Sequence, residues 1–380
     1  MDDMENKDPF ESYYKSGEPD KVAKAYAWQT AIGLQKVDNL QTSDYLMKTA
    51  KDNIEGRISI DEAKKLIDSY YKQDRAKGEP ERTEEADKVA ARITEILGED
   101  SFVFSPAQYI AIHQRLFTGV YSHAGKIREY NITKREWVLN GASVTYGGAL
   151  ELNATLDYDF RMEKEFSYEG LAMSEIIRHL AQFVSRLWQI HVFGEGNTRT
   201  TAVFFIKYLR SLGFNATNDI FAANSWYFRN ALVRANYNNL QAGVHETTTY
   251  LEQFLRNLLL GEANMLKNRY LHVDWKQETA HSPQKQDIEQ DIRSTNSILA
   301  SLDTAKCSSK TKNNIVSLYN AFGLEKIFGR TEVVEALAIT ASPASALIKK
   351  MLEFGVIESV HGLGKGKYRF VAKEGEHGQA

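Results

Sequence analysis

The sequence is short of cysteine, of proline and of net charge, and each shortage excludes something. One cysteine, Cys307, stands in a polar segment. It rules out an intramolecular disulfide and a cysteine-rich zinc site, and it fits a reducing, cytoplasmic setting. Six prolines in 380 residues leave helical backbone almost uninterrupted, so a mainly α protein is expected. A formal net charge of −3 excludes polyanion binding by bulk electrostatics, and any nucleic-acid contact has to be local. No run has the length and apolarity of a membrane span. The opening MDDMENKDPF is acidic and lacks an apolar core, so no signal peptide and no membrane partner are expected. What remains is 43% hydrophobic and 26% charged, ordinary for a globular chain long enough for two or three domains.

Apolar spacing predicts a helix over 20–52, through Tyr26, Ala27, Ile32, Leu34, Val37, Leu40, Tyr45 and Leu46. Gly56 closes a helix and Ser59 opens the next, with Glu62 completing a capping box. Further helices are expected over 84–98 and 106–117, the second opened by Ser105-Pro106. The segment 125–146 changes character. Ile127, Ile132, Trp137, Val138 and Val144 favour strand, and Asn140-Gly141 is a hairpin signal, which predicts a short β-hairpin. Helices follow over 171–190, from 197 to Gly213, and over 225–237 and 247–261. Residues 276–312, rich in Gln, Lys and Ser, read as a linker or exposed helix. The tail from 312 holds three helical segments and a hairpin around GLGKGK, a winged helix-turn-helix pattern.

The stretch HVFGEGNTRT, residues 191–200, sets polar and glycine residues between two strongly apolar helices. A capped turn needs Gly and Asn, but not His191, Glu195 and Arg199 as well. A loop entering a helix offers backbone N–H groups and the positive end of the helix dipole to an anion. Gly196 would let an anion approach the backbone, and Arg199 could grip phosphate bidentately. Glu195 is an oxygen ligand of the kind Mg²⁺ takes when it rides on substrate phosphates. His191 can exchange a proton near neutral pH and is the candidate general base. Together these parts suit phosphoryl or nucleotidyl transfer to a hydroxyl. No P-loop spacing occurs.

HVFGEGNTR resembles the Fic motif H-x-F-x-[DE]-G-N-x-R, and the resemblance extends over most of 45–265. It implies a helical Fic core with a β-hairpin flap, and an adenylyltransferase that moves AMP from ATP, with Mg²⁺, onto a Ser, Thr or Tyr hydroxyl of a target protein or of itself. On that resemblance His191 is the base, Phe193 a loop anchor and Glu195 the metal ligand. Glu195, Gly196, Asn197, Thr198, Arg199 and Thr200 would line the nucleotide phosphates. Asn140, Gly141, Ala142 and Ser143 would form the flap tip beside the nucleotide, where a target segment docks. Phe228, Arg229 and Asn236 would lie near adenine and ribose. The pattern departs at Val192 and Thr198, and above all at Ala202, where many relatives carry a second arginine; the Doc kinases lack it too.

The resemblance also marks KDNIEGR, residues 51–57, as an N-terminal inhibitory helix in which Glu55 would compete for the arginine that holds the γ-phosphate. Lys51 stands where Ser or Thr is usual. The implied domains are an N-terminal helical region (1–75), a Fic core (76–265), a linker (266–311) and a winged helix (312–380). In the last, Lys349, Lys350, Lys365 and Lys367 are candidate DNA contacts, beside Arg369. The residues from 312 onward carry 9 Lys and Arg against 7 Asp and Glu, so a protein-binding or homodimer module fits the segment as well. A DNA-binding regulator that senses nucleotide, a Doc-like kinase and an AMP-removing enzyme are the alternative functions.

Overall fold

The computed structural model describes residues 9–73, 82–216, 220–275, 308–324, 326–337, 339–360 and 366–371. Cys307, most of the 276–312 segment and Lys365 lie outside them. The chain divides into two compact units, one of residues 1–134 and 143–266 and one of 135–142 and 267–380. Helix dominates both. No single helix among the described residues is long and apolar enough to cross a membrane.

The first unit opens with α1 (Glu11–Tyr14) and α2 (Pro19–Leu34). A helix unbroken to residue 52 was the expectation, and the structure corrects it. After Leu34 the chain tightens into a 3₁₀ turn, Gln35–Asp38, and stops where Asn39 adopts a left-handed conformation. It restarts at Ser43, whose hydroxyl accepts the Leu46 N–H to open α3 (Asp44–Ile54). The Ser59–Glu62 capping box is present and opens α4 (Ile60–Lys72). Helix α5 (Thr83–Gly98) carries Asp87, a fully buried carboxylate. Asp87 accepts the Ser43 N–H (2.9 Å) and the Tyr71 hydroxyl (2.7 Å), binding α3 and α4 to α5.

Helix α6 (Pro106–Phe117) starts at the Ser105 cap. Helix α7 (Leu152–Glu165) has no counterpart in the sequence reading. The two long apolar helices are α8 (Met173–Ile190) and α9 (Asn197–Ser211), followed by α10 (Ile220–Arg234) and α11 (Thr249–Leu260). Phe104, Phe160, Phe183, Phe204 and Tyr208 stack into one aromatic core between α7, α8 and α9. Buried Glu163 of α7 accepts the hydroxyls of Tyr168 and Tyr208 (2.5 and 2.6 Å) and pairs with His179 (2.7 Å). Helix α2 packs against α5 and α10. The α2–α10 approach is close enough that a Cβ at Gly33 would lie 2.4 Å from the Ala222 Cα.

The second unit contains α12 (Ser309–Phe322), α13 (Arg330–Leu337) and α14 (Ala341–Glu353), then antiparallel β1 (Ile357–Ser359) and β2 (Tyr368–Phe370). These are the only regular strands among the described residues, and the turn between them lies outside those residues. The hairpin expected over 125–146 is not a strand pair. Trp137–Leu139 form a 3₁₀ turn, and Asn140 and Gly141 both turn left-handed. Of the apolar residues expected to build strands, Ile127, Ile132 and Val144 belong to the first unit, whereas Trp137 and Val138 join the core of the second. Trp137 packs on His272 and Phe322, and the Val138 carbonyl accepts the Val273 N–H (2.9 Å).

Candidate active site

The break between α8 and α9 is buried, so its backbone groups need partners inside the protein. His191 caps α8 in a left-handed conformation, φ 52°, which a non-glycine residue adopts only when its surroundings hold it. Arg128 does much of that holding. Its Nε donates to the His191 carbonyl (2.8 Å), its Nη2 to the Gly147 carbonyl (2.5 Å), and its backbone N–H to the Val192 carbonyl (2.9 Å). Asn197 closes the loop from the other side. Its Nδ2 donates to the Phe193 carbonyl (2.7 Å) and its Oδ1 accepts the Phe193 N–H (3.0 Å). Phe193 stacks on the ring of His113, centroids 3.7 Å apart. His113 accepts the Gly125 N–H at Nδ1 (2.9 Å), which leaves Nε2–H to donate to the Glu195 carbonyl (3.0 Å). Burial pushes the His113 imidazole down to about 4, so the ring stays neutral and keeps that tautomer.

The proton on His191 is placed by its hydrogen-bond partner as well. Its Nδ1 lies 3.2 Å from the Trp188 carbonyl, which can only accept, so Nδ1 carries the hydrogen and Nε2 holds the lone pair. Nε2 is buried and has no hydrogen-bond partner. Tyr146 packs 4.4 Å from the ring, centroid to centroid, and Trp188 meets it edge-on at 5.2 Å. Burial, followed by the charge of Lys134, holds the imidazole well below its usual range. Glu195 projects outward, 55% exposed, with its carboxylate 3.4 Å from the Lys134 ammonium.

Arg199, expected to grip phosphate, is engaged by protein groups. It is fully buried, with its guanidinium turned into the helical core. Asp38 sits 2.7 Å from Nε, Glu85 accepts at 2.7 Å, Gln35 at 3.0 Å and Tyr121 at 3.1 Å, while Phe117 lies beneath the plane. Arg82 also donates to Glu85, so two cations meet two carboxylates. Burial works against the charge on Glu85, but Arg82 and Arg199 hold its carboxyl below the usual range.

Residues 103–209, which span α6 to α9 and the whole 191–199 motif, match the family model described as Fic/DOC family. The chain carries a Fic/DOC family domain. Domains of this family are typically transferases of nucleotide-derived groups. A crystal structure of a Fic family protein from Desulfovibrio desulfuricans G20 is similar over 96% of this chain and 91% of that one, with 12% identity and a TM-score of 0.43. No curated protein matches the chain.

The other expected site residues scatter. Gly196 is left-handed, and a Cβ there would lie 2.4 Å from the Phe117 ring, so its missing side chain makes room for that ring. Thr198 accepts the Trp188 indole N–H (3.0 Å). Thr200 is buried, and its hydroxyl has no partner among the described residues. Phe228 packs with Phe221 and Phe254 in the core. Asn236 spends its amide on the Ser185 and Leu232 carbonyls. Arg229 lies over Trp226 and contributes to the charge felt by His191. Ser143 remains in the first unit, where its hydroxyl accepts the Lys134 N–H (3.3 Å). Asn140, Gly141 and Ala142 belong to the second.

Glu55 caps α3 and faces Lys21 at 3.7 Å; the carboxylates on Arg199 are Asp38 and Glu85. In the second unit Lys349 and Lys350 are exposed, whereas Lys367 pairs with Glu332 (3.1 Å) and Arg369 with Glu358 (2.6 Å). Sequence reasoning missed Arg128, His113 and Lys134. None belongs to a local pattern, and each acquires its role from a partner far along the chain.

Arg199→Ala removes the cation from Asp38 and leaves Glu85 to Arg82 alone, and costs about 3 kcal/mol, read as a lower unfolding midpoint in denaturant. Folded His113 takes a proton only near 4, against 6.5 for the free side chain, so the unfolded chain protonates first. The contribution of this residue is complete above about 6.5 and is lost as pH falls towards 4. Unfolding free energies at pH 7.5 and pH 5 should therefore converge in His113→Gln relative to the parent.

Proposed function

We propose that the domain is a protein adenylyltransferase that moves AMP from ATP to a protein hydroxyl. The observation that supports this best is His191. It is a neutral imidazole, fixed through Nδ1, whose Nε2 is buried and unpaired. A buried lone pair without a donor is costly, and a substrate hydroxyl would satisfy it. In the proposed step that hydroxyl gives its proton to Nε2 as its oxygen attacks the α-phosphorus. The bond from the α-phosphorus to the bridging oxygen breaks, and pyrophosphate leaves. Proton transfer of this kind contributes roughly 10²–10⁴-fold to rate.

Arg128 and Asn197 act in this reading as positioning residues that hold the histidine and the loop in register. No group of three or more His, Cys, Asp or Glu able to hold a metal occurs among the described residues. The solitary, outward-facing Glu195 fits a Mg²⁺ that arrives on the substrate rather than one caged by protein. Bound there, Mg²⁺ would neutralise charge on the phosphates. The hydroxyl donor is a target protein or a second copy of this chain.

Ala202 is shared in kind with the Doc kinases, which also lack an arginine there, so phosphoryl transfer is the competing outcome. One experiment separates the two. The protein is incubated with Mg²⁺ and ATP labelled at either the α- or the γ-phosphate. The reading expects α label on protein and its loss in His191→Ala. Label from the γ position alone would make the domain a kinase, and no His191-dependent label from either would defeat both.

A further inference from the structure

We propose that Lys134 is the cation that receives the nucleotide's phosphates in this site, in the role left vacant by Ala202 and by the inward turn of Arg199. This rests on the nucleotide-transfer reading above and names the residue that reading lacks.

A triphosphate needs positive charge where it docks. Arg199 is fully buried and shared among Asp38, Glu85, Gln35 and Tyr121. Arg128 is buried and committed to the carbonyls that shape the α8 terminus. Lys134 differs from both. Its side chain is 30% exposed, and its Nζ stands 3.4 Å from Glu195. Its charge also acts on His191, more strongly than those of Arg229 and Arg128. Its backbone N–H is anchored on the Ser143 hydroxyl (3.3 Å), which fixes where the flexible stem begins.

The Lys134–Glu195 pair is also the right shape of charge for the ligand. A Mg²⁺-polyphosphate is a cation beside an anion, and an ammonium beside a carboxylate is its complement. Without Lys134, Glu195 would present a bare negative charge to an incoming triphosphate. The surface pair itself is worth little, so exchanging it for phosphate and metal contacts costs little. A lysine ammonium is a compact point charge with three donors, suited to phosphate without the planar geometry that arginine demands.

The test is calorimetric titration of the full chain with Mg²⁺-ATP and, separately, with adenosine. The parent is expected to bind ATP more tightly than adenosine. Lys134→Ala and Lys134→Gln should weaken ATP about 10- to 100-fold, leave adenosine unchanged and flatten the dependence on ionic strength, while Lys134→Arg retains most of the affinity. Matching thermal melts and unchanged adenosine binding show that the variants fold. If the parent prefers ATP and the uncharged variants bind it equally well, the Lys134 proposal is overturned and the transfer reading survives. If the parent binds ATP no better than adenosine, both fall.

Discussion

Two buried helices that meet at a sharp break leave several carbonyls and N–H groups without helical partners, and water cannot reach them. The break between α8 and α9 exists because Arg128, Asn197 and His113 take over those groups from inside the protein. The position of His191 depends on that arrangement. Its left-handed backbone, its Nδ1 hydrogen bond and its open Nε2 follow from where the α8 terminus is pinned. Carbonyls and N–H groups around the ring find partners in these side chains, while Nε2 of His191 is left without one.

The charge cluster around Arg199 serves the same end from the opposite side of α9. Asp38 comes from the turn after α2, Glu85 from α5 and Tyr121 from the loop after α6, so one guanidinium ties three distant segments to the first turn of α9. A buried ion cluster contributes little net stability compared with apolar packing, but breaking it is expensive. It therefore fixes arrangement more than it adds stability. With Arg199 enclosed, the solvent-accessible charged pair beside the loop is Lys134 and Glu195, which is why the proposed phosphate contact is placed there.

Much of the architecture could be read from the sequence where local chemistry decides the outcome. The capping signals at Ser59 and Ser105 and the apolar faces of α8 and α9 all predict elements that are present. The motif announces itself because its residue types exceed what a turn requires. Where several turns of chain compete, the reading failed. Helix α7 was missed because Leu152, Leu156 and Phe160 give a thin stripe and the next inward position is a buried glutamate, Glu163. The break at Asn39 was legible in principle, since a left-handed Asn followed by a Ser cap is a stop and a start. The apolar run at Trp137–Leu139 signalled burial correctly but not strand, because its partners lie beyond residue 267. Arg199, Gly196 and Phe228 show the deeper limit. Residue type gives what a group can do, and only packing says whether it faces a substrate or the core.

The account turns on the protonation of a single ring. His191 should be neutral, with its hydrogen on Nδ1 and a free lone pair on Nε2. Long-range ¹⁵N–¹H correlation of the histidine rings, assigned through His191→Ala, measures this directly. At pH 6.5, the usual midpoint for a histidine, the account predicts the Nδ1–H tautomer with Nε2 at the shift of an unprotonated nitrogen, and no titration until the solution is markedly more acidic. A ring protonated on both nitrogens at that pH, or one that carries its hydrogen on Nε2, would contradict it.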